Sequence, residues 1–243
     1  MLIAANWKMN LDKNSINSFI NQLQSYKFSN NVKVCIFPPI IYINFLHELV
    51  KNTQILIGGQ NCHYNSSGAF TGEVSAVSLK ECGCEYVILG HSERRMYNKE
   101  TNENIKKRAE FALQTKLKPI ICVGENIDIR GNGTAKNFIK KQIIESLPEE
   151  FDELTIAYEP VWSIGTGKIP NKYEIIEMHN NIKEIVYSKA KKNVNVLYGG
   201  SVNQANIKDI LSAGNVDGVL VGGSSLKIKE FLAIYSSAVM YLS

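Results

Sequence analysis

The sequence predicts an α/β fold: one closed (β/α)8 TIM barrel, with residues 1–243 forming a single domain. Three observations carry this expectation. Strand-like runs recur at intervals of roughly thirty residues, the size of a β-α-β unit. The runs are near-continuously apolar, as parallel strands covered on both faces must be. Helical patterns alternate with them, and no linker divides the chain. A length of 243 residues suits such a barrel as one domain.

In order, the strands are expected at 2–7, 32–37, 55–60, 85–89, 117–123, 154–159, 194–198 and 216–221. Between them, apolar residues recur at helical spacing. Ile16, Phe19, Ile20 and Leu23 share one face, as do Ile41, Phe45 and Leu49. Ile105, Ala109, Ala112 and Leu113 form the next, then Ile139, Ile143, Ile144 and Leu147. Ile175, Met178, Ile182, Ile185 and Val186 give the strongest pattern. Asn171, after Pro170 and three residues before Glu174, predicts a capping box for that helix. Asn203 is expected to cap the next, with Ile207, Ile210 and Leu211 inward; the last helix carries Phe231, Leu232, Tyr235 and Val239. An open doubly wound sheet is the alternative, but no Gly-x-Gly-x-x-Gly follows the first strand. Gly165-Thr166-Gly167-Lys168 is not a P-loop either.

Composition narrows the function. Net charge is only +4, and the lysines are spread over several helix faces, which suits a solvated surface better than a nucleic-acid groove. The five cysteines form no Cys-x-x-Cys and the four histidines lie far apart, so a zinc site has no support. Buried thiols in a reducing compartment are expected. The first residues lack the basic start and long apolar core of a signal peptide, and no run suits a bilayer. A cytoplasmic protein is the expectation, with no membrane partner.

Two loops stand out. Residues 63–73 are long and polar with Ala69-Phe70 near the tip; a binding loop and a plain surface loop both fit. Residues 157–168 end a strand in Glu159, break it at Pro160, and then place Val161, Trp162 and Ile164 before Gly165-Thr166-Gly167. The proline removes a backbone donor, and the glycines permit a hinge. Bulky apolar side chains between such ends suit a lid that closes over a site and excludes water; a loop packed on the core is the alternative.

In this fold the strands' C-terminal ends share one rim. Those ends carry Asn6-Trp7-Lys8, Gln60-Asn61, Gly90-His91-Ser92-Glu93-Arg94-Arg95, Glu159, Tyr198-Gly199-Gly200-Ser201 and Val221-Gly222-Gly223-Ser224. Each is weak alone. Together they bring a carboxylate, an imidazole, an ammonium and two glycine pairs to one pocket. Glycine lets the backbone approach an anion, and helix N-terminal amides then point at it, so phosphate is the natural guest. The loop near Gly165 offers further amides.

Asn6-Trp7-Lys8, Gly90-His91-Ser92-Glu93-Arg94-Arg95, Ala157-Tyr158-Glu159-Pro160-Val161-Trp162, Gly165-Thr166-Gly167-Lys168, Tyr198-Gly199-Gly200-Ser201-Val202 and Leu220-Val221-Gly222-Gly223 resemble the signature segments of the triosephosphate isomerase family, in order and from end to end. Ser163 and Ser224 stand where that family more often has Ala, and Gly59 where Ala is common. The resemblance implies interconversion of dihydroxyacetone phosphate and glyceraldehyde 3-phosphate through an enediolate, in glycolysis and gluconeogenesis. It implies Glu159 as base, with basicity raised by desolvation, and a neutral His91 as hydrogen-bond donor. Lys8 supplies charge, Asn6 binds substrate or orients Lys8, and Glu93 pairs with Lys8. Amides near Gly165, Ser201, Gly222 and Gly223 hold phosphate, and no metal or organic cofactor is implied. A homodimer is expected, with Thr71 of the long loop near the partner's active site. A metal-dependent sugar-phosphate epimerase and a non-enzymatic binding barrel are the rivals; the first needs other base groups, the second predicts damage at Lys8, His91 or Glu159.

Overall fold

A computed structural model of the chain describes residues 1–164 and 169–243. The strands are β1 Leu2–Asn6, β2 Lys33–Phe37, β3 Ile55–Gly59, β4 Tyr86–Leu89, β5 Lys118–Val123, β6 Thr155–Tyr158, β7 Asn195–Tyr198 and β8 Gly218–Val221. They pair in sequence order, all parallel, and β8 closes on β1. The expected closed barrel is therefore present.

Period-2 alternation divides each strand between two cores. Ala4, Cys35, Phe37, Tyr86, Ile88 and Ile120 are among the side chains filling the barrel. Ile3, Ala5, Val34, Ile36, Val87 and Leu89 point the other way, into the shell between strands and helices. Because both sides are dry, the strands read as continuous apolar runs rather than as alternation.

The principal helices are α1 Lys13–Gln24, α2 Ile43–Val50, α3 Ala76–Glu81, α4 Ser92–Tyr97 and α5 Asn102–Gln114. They continue as α6 Ile127–Gly131, α7 Ala135–Ser146, α8 Lys172–Ala190, α9 Ile207–Leu211 and α10 Ile228–Tyr241. The predicted inward residues of α1 and α8 are all buried, and the Asn171–Glu174 capping box is formed. Three expectations differ. Ile144 of α7, expected on the inward face with Ile139 and Ile143, is 37% exposed, since it lies one position round the helix from Ile143. The buried face of α2 is Ile43, Leu46 and Val50, and Ile41 is 74% exposed. The chain enters α2 through a 3-10 turn, Ile40–Tyr42, which changes the helical phase. Asn203 does not cap α9; its side chain accepts from Ala205 N–H and Asn206 N–H, closing the preceding turn.

Trp7, Phe19 and Phe231 pack in series behind the end of β1. Trp7 is fully buried and its indole N–H donates to Ser225 O at 3.1 Å. A buried aromatic of this kind contributes ~1.5–3 kcal/mol. It also fixes the backbone from which Lys8 departs.

Candidate active site

The alternation that fills the barrel continues past the strand ends. After Ala4 comes Asn6, and after Ala157 comes Glu159; after Ile88, Cys122, Leu197 and Leu220 come Gly90, Gly124, Gly199 and Gly222. The last layer therefore combines two polar side chains with glycines. Glycine leaves space, and a cavity of about 310 Å³ opens here, lined by Asn6, Lys8, His91, Glu159, Gly200 and Gly222 among others. A wider groove of about 1180 Å³ lies at the opposite barrel end, beside Lys118, Glu149 and Asp152. It is open and does not bring a buried base and imidazole together, so the smaller cavity is the candidate site.

Lys8 enters from β1 with φ 51°, a left-handed backbone that costs a non-glycine residue roughly 1–2 kcal/mol. Asn6 Oδ1 accepts the Lys8 N–H at 3.0 Å. Gln60 Nε2 donates to the Lys8 carbonyl at 2.7 Å. The ammonium lies 2.5 Å from Glu93 Oε1, so the expected Lys8–Glu93 pair is formed. Its stem passes Gly222, where an added Cβ would be 3.5 Å from Lys8 Cε.

His91 caps α4, the short helix expected at Ser92. Its Nδ1 accepts from Glu93 N–H at 3.3 Å, while Nε2 lies 2.9 Å from Glu159 Oε1. Arg95 anchors this corner by donating to Gly90 O at 2.8 Å and Cys122 O at 2.9 Å.

Glu159 is 1% exposed. Its Oε2 accepts from Ser92 N–H at 2.9 Å, and Ser92 Oγ is 3.4 Å from Oε1. Ser92 is thus a partner of the carboxylate that sequence reasoning saw only as a helix start. Burial pushes the carboxyl up, but His91, the Ser92 N–H and Lys8 together pull it down, below its ordinary value. For His91, burial pushes the imidazole down and Glu159 pulls it up, with a net rise. The carboxyl thus stands below its ordinary value while it touches His91 and Ser92; the expected rise in basicity belongs to the site with the lid shut. The Glu93 N–H at Nδ1 favours the neutral imidazole with its proton on Nε2. The larger opposing influence is Glu159, and it goes when the carboxylate leaves; the Glu93 carboxylate, 3.6 Å from Nδ1, also raises the imidazole and stays.

Gly124 shows why these groups sit so close. An added Cβ there would come 1.7 Å from Glu159 O, and Glu159 N–H donates to the neighbouring Val123 O at 2.7 Å. Only a residue without Cβ lets β5 and β6 close over this point.

At the start of the expected lid, Pro160 precedes one 3-10 turn, Val161–Ser163. Trp162 Nε1 donates to Glu125 Oε1 at 3.1 Å, and Tyr158 OH donates to the same oxygen at 2.9 Å. Arg130 lies over the Trp162 ring and donates to Glu174, the capping residue of α8, at 2.7 Å. Gly165 and the second expected hinge, Gly165-Thr166-Gly167, lie outside the described residues. Ser201 lines the cavity from the β7 side, and Gly222 and Gly223 line it from the β8 side. Gly223 also opens a 3-10 turn, Gly223–Leu226.

The long loop is folded on itself. His63 stacks on Tyr64 and Phe70, each with ring centroids 4.2 Å apart, and its Nδ1 accepts from Asn65 N–H. Thr71 is exposed at the tip. Among the described residues, no cluster of three or more His, Cys, Asp or Glu could hold a metal ion.

A family model described as triosephosphate isomerase matches residues 1–238. The chain is 42% identical over 239 residues to a triosephosphate isomerase of Finegoldia magna, covering 95% of each chain. It is 39% identical over 241 residues to one of Alkaliphilus oremlandii, covering 96% of this chain and 97% of the relative. A third, from the Wolbachia of Brugia malayi, is 44% identical over 230 residues, covering 95% and 94%.

Proposed function

Because the chain belongs to the triosephosphate isomerase family, whose reaction interconverts dihydroxyacetone phosphate and glyceraldehyde 3-phosphate in glycolysis, we propose that Glu159 is its base. The observation that carries this is the shared cavity: a buried carboxylate, an imidazole whose Nε2 lies 2.9 Å from it, and an ammonium face one space. Residues 1–243 act as one catalytic domain.

Glu159 leaves Ser92 and His91 and takes a proton from the carbon beside the substrate carbonyl. The C–H electron pair becomes the enediolate C=C bond, and the carbonyl electrons move to oxygen. His91 donates Nε2–H to the substrate oxygens, and Lys8 balances the developing charge. Asn6 holds the Lys8 backbone and Glu93 its ammonium. Glu159 then returns the proton to the adjacent carbon, while the hydroxyl proton of the first oxygen passes by way of His91 Nε2 to the second, so that carbonyl and hydroxyl exchange places. Once free of His91 and Ser92 but still buried, its carboxylate becomes more basic than at rest. The amides at Gly165, Ser201, Gly222 and Gly223 hold the phosphate. The carbonyl is the electron sink, so the chemistry calls for no metal or organic cofactor.

A coupled assay on both triose phosphates in deuterated water tests this. Turnover in each direction with solvent deuterium on the product carbon is the expected result. Turnover without label in the wild type, together with undiminished turnover in Glu159→Gln, would remove Glu159 from the role.

The working form is a homodimer. Met9, Ile41, Phe70, Met96 and Tyr97 are exposed apolar side chains after β1 to β4, so they fall on one side of the rim. The loop carrying Thr71 is the arm expected to reach the partner's site. Full activity per chain in a sample diluted to monomer would overturn this coupling. No helix among the described residues is long and apolar enough to cross a membrane, and the five cysteines are free thiols. Both features suit a cytoplasmic enzyme.

A further inference from the structure

Ser163 ends the turn Val161–Ser163 and is fully buried. Its own N–H is engaged by Pro160 O at 2.7 Å. Two contacts join it to the loop after β7. Ser201 Oγ donates to the Ser163 carbonyl at 2.5 Å, and Ser201 N–H donates to Ser163 Oγ at 3.4 Å. A Cβ added at Gly200 would stand 3.0 Å from Ser163 Oγ and 2.3 Å from Tyr198 Oη, so the hydroxyl sits directly against the glycine pair. Alanine at this position would keep the carbonyl contact and lose the hydroxyl's contacts with Ser201 N–H and with the Tyr198 hydroxyl.

We propose that the Ser163 hydroxyl is a stand-in acceptor that holds the Ser201 N–H until a substrate phosphate oxygen replaces it. The inference rests on the reading of the Ser201 amide as a phosphate donor. A neutral acceptor at 3.4 Å is weaker than a phosphate oxygen, whose charge shortens and strengthens the bond. The exchange therefore runs toward the loaded site, but against a contact that must first break. Breaking it also frees one tie between the turn Val161–Ser163 and the β7 loop. Ser163 is thus a positioning residue: it touches neither the reacting carbons nor the base, and its effect falls on phosphate affinity rather than on proton transfer.

Ser163→Ala is the direct test, with inorganic phosphate as competitive inhibitor and triose phosphate as substrate. The expected result is a fall in both the phosphate inhibition constant and KM by roughly two- to fivefold, with kcat changed less, matching the loss of one weak neutral hydrogen bond. Unchanged or weakened phosphate inhibition in Ser163→Ala would overturn the proposal. Ser163→Cys, close in size and a poorer acceptor, should fall between wild type and alanine; it takes over the test should alanine not fold. Absence of phosphate competition in the wild type would instead refute the cradle, and the proposal with it. Equal competition in wild type and variant would refute the Ser163 role alone.

Discussion

Two glutamates follow adjacent strands and are equally hidden: Glu125 after β5 and Glu159 after β6, at 0% and 1% exposure. Glu125 is enclosed by Tyr158 OH, the Trp162 indole and, at 3.8 Å, Arg130. Those partners belong to the barrel wall and the turn Val161–Ser163. Glu159 is held instead by Ser92 and His91 beside an open cavity. Burial alone therefore does not mark a base. What distinguishes Glu159 is that substrate can replace its partners, whereas Glu125's partners are the structure. One carboxylate faces the cavity, as the proposed base must, and its neighbour is tied to the turn Val161–Ser163.

The sharpest way to break this contrast is to shorten both acids. Glu159→Asp draws the carboxylate back by one methylene, and kcat should fall by about a hundredfold or more with KM little changed. Glu125→Asp should leave kcat within about tenfold of wild type, since the group is remote from the reacting carbon. A Glu159→Asp enzyme with unaltered kcat would erase the distinction.

A titrating neighbour extends the comparison to pH. His179 packs edge-on against Tyr158, behind the Glu125 side. Burial pushes its imidazole from 6.5 down to about 4. The unfolded chain thus takes up this proton first as the pH falls. Stability is lost between those two values and changes no further below the lower one, by at most about 3 kcal/mol. His179→Gln should flatten the dependence of Tm on pH between 7 and 4; an unchanged slope would rule out this histidine as the source.

Glu125→Gln keeps the shape but removes the charge that strengthens the Tyr158 and Trp162 bonds. A loss of about 1–2 kcal/mol in denaturant unfolding is expected. Ser92→Ala should be smallest of all. It deletes only the 3.4 Å hydroxyl contact and leaves the 2.9 Å N–H, so kcat/KM should change by less than about tenfold. A larger loss would show that Glu159 relies on the hydroxyl.

Strand positions were legible because dryness on both sides gives unbroken apolar runs, and each observed strand lies within its expected range. The rim residues Asn6, His91 and Glu159 were legible because a parallel barrel gathers strand ends. The face of α2 was not, since Ile41, Phe45 and Leu49 are helically spaced but precede or straddle a turn of different pitch. Nor were the Glu159–Ser92 contact and the lowered carboxyl legible. Both depend on which way a side chain leans across 67 residues of separation. The left-handed backbone of Lys8 was equally hidden, because lysine gives no local signal for it.

Gly124 has no side chain, donates its N–H to Gln142 at 2.8 Å, and touches no substrate in the reading above. Yet any replacement there must push on the carbonyl of Glu159. In a mutational scan this position should therefore look as intolerant as the base itself, with no chemistry of its own. Inherited variation is closed off there by geometry alone, and a lineage can leave that glycine only by first moving its neighbouring strand.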